Sequence, residues 1–255
     1  MGYVNILTTS GYGKTGSSQS NIAALTGWAV KVRFDGALVT GLGDYEMGGL
    51  VEIWNNSDAF KVRLCIERQL TNVHGYMSAD YGTIVGGTYI PISNFSGGND
   101  YVLYAHFFNY APPSGDWFGF HWFEADGTEI DNDMFDYDPS KSDLTTGYGH
   151  VRIGGGYSGG TTVPEGKIDG VAIYSYELTG DNKWNEPQNT DSNILWYVPF
   201  DETSGNTAAN DVSGATSLTM QGSEDTDFSW VAGGGWDATE AAPDEFVTVY
   251  FKAAP

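Results

Sequence analysis

Apolar and polar residues alternate one for one in short runs along this chain, and that period of two constrains the fold more than any other feature. In WAVKVRF, Trp28, Val30, Val32 and Phe34 fall on one face and Lys31 and Arg33 on the other. Successive side chains of a strand point to opposite faces, so the run predicts a strand with one side on a core and the other in water. FKVRLCIE repeats the device, with Phe60, Val62, Leu64 and Ile66 inward, Lys61, Arg63 and Glu67 outward, and Cys65 on the polar side, where it reads as incidental. YVLYAHFFNY and WFGFHWFE carry aromatic residues on both faces, as strands do when they are covered twice or line a binding surface. HVRIGG, KIDGVAIY, ILWYVPF and EFVTVYF add strand candidates between Gly-, Ser- and Asp-rich connectors, and Asp126-Gly127 has the chemistry of a tight hairpin turn. Only YELTGDNKW offers a short helical turn. No long segment has apolar residues at helical spacing, so the expectation is an all-β chain.

At 255 residues the chain is long enough for one large sandwich or two small domains. With Cys65 as its single cysteine no intrachain disulfide can form, and packing and ladder hydrogen bonds must supply the stability. Acidic residues outnumber basic ones by 33 to 11, for a formal charge of -22. A polyphosphate backbone would be repelled, which argues against a nucleic acid partner. The same carboxylates supply oxygen ligands for a hard cation such as calcium, although a solvated acidic surface is the commoner reason for such an excess. The first residues carry no basic segment followed by an apolar one, so no signal peptide is expected, and no stretch is apolar enough to insert in a membrane.

One segment carries a resemblance. PEGKIDGVAIYSYELTGD, through Gly166, Ile168, Asp169, Val171, Ile173, Tyr174, Leu178 and Thr179, closely resembles the closing strand of laminin G-like jelly rolls. TGWAVKVRF and FHWFEADGTEI are similar to two earlier strands of that family, in the right order. ILWYVPFDETSGNTAANDVSGATSLTMQG resembles its opening strand and loop, yet lies after the closing strand. The resemblance implies a two-sheet antiparallel jelly-roll sandwich of the concanavalin A / laminin G type with altered strand order. A second, truncated repeat beginning near Asp191 is one explanation. A circular permutation, in which EFVTVYF or GYVNILTT supplies the next strand, is the favoured one, because sandwich termini often lie close together. Completion of a neighbouring protomer's sandwich by residues 191–255 is a third. The expected organisation is one domain over 1–255, with 191–232 supplying the opening strand and loop and 233–255 a C-terminal strand and tail.

Several residue sets carry candidate chemistry. Glu129, Asp131 and Asp133 alternate along a strand and so share one face, similar to the E-x-D-x-E string of glucanases with this fold. Retaining glycosidases need two carboxyls about 5 Å apart. Here the third position is Asp and the string follows a hairpin turn, so solvated carboxylates are the expectation and the chain is read as non-catalytic. SGYGKTGSS ends like a phosphate-binding loop, but the position of that motif's first glycine is Thr8, and a flexible turn is expected instead. His74, His106, His121 and His150 lack zinc-site spacing. The resemblance implies structural calcium held by Asp169, Asp201 and Asp211, with side-chain-to-backbone turns at Asp201 and Asp211 as the competing explanation. Trp117, Tyr110 and Tyr148, with Asp116 and Asn109 beside them, are the expected glycan-binding residues, since sugars stack on aromatic rings and hydrogen-bond to carboxylates and amides. The resulting expectation is a lectin-like structural or adhesion module of a phage virion (capsid decoration, head fibre or tail fibre) that contacts glycans or neighbouring subunits and forms homo-oligomers. A secreted carbohydrate-binding module and a glycoside hydrolase of the same fold are the alternatives.

Overall fold

The computed structural model describes residues 2–7, 12–16, 27–55, 60–79, 83–109, 116–137, 148–154, 166–188, 190–191 and 193–232. In chain order the strands are β1 (Gly2–Ile6), β2 (Tyr12–Thr15), β3 (Gly27–Asp35), β4 (Met47–Asn55), β5 (Phe60–Gln69), β6 (Asn72–Ala79), β7 (Thr83–Pro91) and β8 (Asp100–Asn109). They continue as β9 (Asp116–Glu124), β10 (Glu129–Tyr137), β11 (Tyr148–Ile153), β12 (Gly166–Tyr174), β13 (Ile194–Val198), β14 (Thr207–Ala208), β15 (Leu218–Gln221) and β16 (Phe228–Ala232). One sheet has the order β10-β9-β8-β3-β12-β1-β16, with β13 also on β12, and the other β14-β15-β2-β11-β4-β5-β6-β7. The two antiparallel sheets form the expected all-β sandwich.

The inward faces are those that alternation assigns. Trp28, Val30, Val32 and Phe34 of β3 and Leu64 and Ile66 of β5 are all buried in one apolar cluster with Phe118, Phe120 and Trp122 of β9 and Val151 and Ile153 of β11. The side chains of Phe60 and Val62 lie outside the described residues. Asp126-Gly127 closes the β9–β10 hairpin as expected. Gly127 has φ +90°, open to a residue without a Cβ, and Asp126 Oδ1 accepts the Thr128 N–H at 2.8 Å. Within YELTGDNKW, Gly180–Lys183 form a 3-10 turn.

The outward faces differ from expectation. Lys31 is 1% exposed and Arg33 5% exposed. The cause is a second apolar layer outside the β8–β3–β12 sheet, in which Ala29, Val102, Tyr104, Phe123, Ala172, Tyr174, Ile194 and Tyr197 pack under Leu178 and Trp184. Residues 175–188 therefore act as a strap over a sheet that has no wet side there. In the other sheet Arg63 and Cys65 are also buried. Arg63 Nε lies 2.6 Å from Glu52 Oε1, and Cys65 sits between Gly49 of β4 and Tyr76 of β6, burial raising its thiol pKa. Cys65 is packed, not incidental.

The strand after the closing strand packs on its own chain. Along one edge of β12, Gly166–Ile168 pair with β1 and Val171–Tyr174 with β13, while β3 runs along the other edge. Trp196 of β13 is fully buried in the main core, and its indole N–H donates to the Thr216 carbonyl at 2.9 Å. β1, from GYVNILTT, lies between β12 and β16. EFVTVYF and the rest of 233–255 lie outside the described residues.

Candidate functional site

The residues singled out from the sequence scatter over the sandwich. Asn109 and Asp116 pair across β8 and β9, and Trp117 stands opposite Phe108 and Asp136. Tyr148 belongs to the other sheet, beside Asn55. Tyr110 and the side chains of the other four lie outside the described residues.

Glu129, Asp131 and Asp133 do not share a face, contrary to the alternation argument. A β-bulge between Glu129 and Asp131 inserts one extra residue, so Glu129 pairs with Phe123 whereas Asp131 and Asp133 pair with the core-facing Trp122 and Phe120. Glu129 Oε1 is 2.9 Å from His121 Nδ1 on the strap side, and Asp131 and Asp133 accept the N–H of Asn132 and Met134.

Asp169 is 1% exposed, with Arg33 Nε 3.0 Å from its Oδ2, and the same guanidinium reaches Asp100 Oδ2 at 2.8 Å. Burial pushes the Asp169 carboxyl up to about 8, against the pull of Arg33. Asp201 and Asp211 are exposed. Burial raises Asp211, helped by the charge of Asp201, and the charges of Glu186, Asp169, Asp201 and Asp211 add to burial in raising the Tyr197 hydroxyl. The three carboxylates thus share one electrostatic neighbourhood, but a cation drawing on Asp169 would compete with Arg33 for it. No group of three or more His, Cys, Asp or Glu is placed to hold a metal among the described residues.

Described residues also line two polar depressions. One lies under the strap, about 340 Å³ in volume and lined by Lys31, Asn182, Asn185, Glu186, Gln188 and Asp191. The Lys31 ammonium donates to the carbonyls of Asn182 (2.9 Å) and Asn185 (2.6 Å) and lies 5.5 Å from the Tyr174 ring centroid. Burial lowers its pKa to about 7, partly offset by Asp191 and Glu186. Here Lys31 serves the strap's own backbone.

The other depression, about 440 Å³, opens on the outer face of the second sheet and is lined by Tyr12, Lys14, Thr15, Gly16, His150, Thr219 and Gln221. Its geometry follows from alternation on two short strands. In β15, Leu218 and Met220 face the core and Thr219 and Gln221 face out; they pair with Lys14 and Tyr12 of β2. Gly13 is required between them, because a Cβ there would lie 2.1 Å from Leu218 Cδ2. Gly13-Lys14-Thr15 is thus a stretch of strand and not the flexible turn expected from SGYGKTGSS. The Arg152 guanidinium lies 3.9 Å from the Tyr12 ring centroid, and His150 Nδ1 is 3.2 Å from the Thr15 carbonyl oxygen. An aromatic ring, a hydroxyl, an amide and cations on rigid strands can hold a polyhydroxylated ligand. Sequence reasoning missed this set. Its signal was the alternation in LTMQ, four residues long and too short to stand out, while YGKT shows no apolar-polar alternation at all.

No family model matches the chain, and no curated protein does. Among solved structures, full-length tailspike protein 2 from Escherichia coli O157:H7 bacteriophage CAB120 is similar at 11% identity with a TM-score of 0.51, over 72% of this chain and 25% of that one. The chain thus spans about a quarter of the tailspike it matches. The CBM2 module of the evolved Dit of Lactobacillus casei BL23 phage J-1 aligns over 69% of this chain and 77% of that one, at 10% identity and a TM-score of 0.41. The extracellular region of zebrafish Gpr126/Adgrg6 aligns over 84% and 27%, at 10% identity and a TM-score of 0.41. At these identities the likeness is one of fold, the two-sheet jelly-roll sandwich that the laminin G resemblance implies.

Proposed function

We propose that the chain is a lectin-like adhesion module of a phage particle, without catalysis of its own, that contacts surface glycans through the cleft between β15, β2 and β11. The observation that carries this reading is the cleft's composition. Tyr12 offers a ring, Thr219 a hydroxyl, Gln221 an amide and Lys14 a cation, all on paired strands rather than on loops. Sites on rigid elements lose little entropy when a flexible sugar binds. The phage assignment is supported by the shared fold with part of a tailspike. The separation of Glu129 from Asp131 and Asp133 across the sheet supports a non-catalytic role for that string.

A glycan array with the full chain tests the proposal. Binding to at least one saccharide, reduced about tenfold or more by Tyr12→Ala and retained in Trp117→Ala, is the expected result. Loss on Trp117→Ala with Tyr12→Ala unaffected would move the contact to the end of the β8–β9 pair, where Asn109, Asp116 and Trp117 lie in sequence. Release of reducing sugar from a bound glycan would overturn the non-catalytic part. Assembly into homo-oligomers or onto neighbouring virion subunits belongs to the same proposal, and light scattering on the purified chain measures it.

A further inference from the structure

The cleft on the second sheet is set apart by its charge. In a chain with 33 acidic and 11 basic residues, its described lining holds Lys14 and His150 and no carboxylate. The pocket under the strap, by contrast, is lined by Glu186 and Asp191. Cross-strand register explains how the cations gather. On the outer face Thr219 pairs with Lys14, Lys14 with Arg152, Arg152 with Glu52 and Glu52 with Arg63. This single row crosses five strands and carries three cations and one anion. Glu52 is 1% exposed, lies 2.6 Å from Arg63 and 3.9 Å from Arg152, and so is turned to the inner part of the row. Lys14 lines the cleft, and Arg152 pairs with it from the next strand.

Arg152 is also held in place. Its guanidinium lies against the Tyr12 ring at 3.9 Å while Glu52 approaches from the next strand. A planar cation fixed between a ring and a carboxylate loses little freedom when it takes up a further anion. A negatively charged ligand approaching a protein of charge -22 is repelled at long range, and only a local concentration of cations can reverse that repulsion within about a Debye length of ~10 Å. A neutral sugar would need no such row.

We infer that the cleft takes an acidic saccharide, one bearing carboxylate or sulfate groups, with Lys14 and Arg152 meeting the anion and Thr219 and Gln221 the neighbouring hydroxyls. The inference rests on the glycan-contact reading above and deepens it. Calorimetry on the full chain tests it with three probes: a glucuronic acid oligosaccharide, the same oligosaccharide with its carboxyls reduced to alcohols, and a sulfated neutral oligosaccharide. Both acidic probes should bind at least about tenfold more tightly than the reduced one at low salt and lose most of that margin in ~0.5 M salt. Lys14→Gln and Arg152→Gln should each narrow the margin about three- to tenfold. Far-ultraviolet circular dichroism confirms the fold of each variant, and Lys14→Gln, at a partly exposed strand position, keeps the test open if Arg152→Gln misfolds. Equal binding of the reduced and acidic probes overturns the acidic preference and leaves glycan contact standing. A preference that neither substitution alters overturns the assignment to this cleft. Binding of no saccharide on the array or in the calorimeter overturns the glycan reading itself.

Discussion

Arg33 faces two carboxylates with one positive charge. Asp100 and Asp169 both reach its guanidinium, at 2.8 and 3.0 Å, from inside the covered face of the sheet. One cation neutralises one anion, and the more buried partner, Asp169, is the one pushed up to about 8. Because this folded value exceeds the ordinary 3.8, the contribution of Asp169 to stability is fully present below about pH 4 and is lost as pH rises toward 8. Urea unfolding at pH 5 and pH 8 should therefore show Asp169→Asn gaining on the parent protein at the higher pH. Arg33→Ala, which leaves buried carboxylate charge uncompensated, should cost about 3–5 kcal/mol in the same measurement. None of this was legible in WAVKVRF, where Arg33 reads as a solvated partner of Lys31. Alternation assigns a face to each residue and says nothing of what covers that face.

At the scale of elements the strap decides the behaviour of the first sheet. It is latched by the Leu178 N–H donating to the Tyr104 hydroxyl at 2.8 Å, by Trp184 against Phe123 with ring centroids 5.1 Å apart, and by Lys31 on the carbonyls of Asn182 and Asn185. Lys31→Met should leave those carbonyls without their donor, weaken the strap by about 1–3 kcal/mol and speed hydrogen exchange across residues 178–186 before the rest of the sheet responds. Beneath the same strap His106 and His121 stand with ring centroids 5.6 Å apart, Lys183 acts on both, and Glu177 lies 3.9 Å from His106 Nε2 and Glu129 2.9 Å from His121 Nδ1. Burial lowers both imidazoles, His106 to about 3, so the folded protein keeps them neutral. Their stabilising share is complete above the ordinary 6.5 and is lost as pH falls below it, when the unfolded chain takes up protons that the folded one refuses. The Tm of His106→Gln should accordingly fall less between pH 7.5 and pH 5 than that of the parent. YELTGDNKW disclosed the 3-10 turn in the sequence, but not the sheet it lies on.

Across the whole molecule the informative strand is β13. Its sequence resembles a family's opening strand, its place in the chain follows the closing one, and it completes the sheet beside β12 and next to β1. Trp196 fills the common core from that position. Trp196→Ala should cost about 3–5 kcal/mol by denaturant unfolding, with the size of the particle in light scattering unchanged, since the cavity lies inside one chain. If the substitution instead altered the oligomer, the strand would be serving a neighbour's sandwich. This relation could be proposed from the order of motifs, but pairing partners are set by long-range contacts that motif order leaves open.

Alternation by itself determined the all-β class and the inward faces of runs such as β3 and β5, because strand geometry is local and a period of two admits one burial pattern per face. What lies over the outer faces was decided by tertiary structure. Lys31 and Arg33 are buried by elements distant in sequence, Glu129 is turned away from Asp131 by a bulge that no residue type announces, and Tyr12, Lys14, Arg152 and Thr219 become neighbours only when β15, β2 and β11 pair. Charge, ring and hydroxyl were visible along the chain. Their convergence is a matter of register between strands, and register is set by the packing of the whole sandwich.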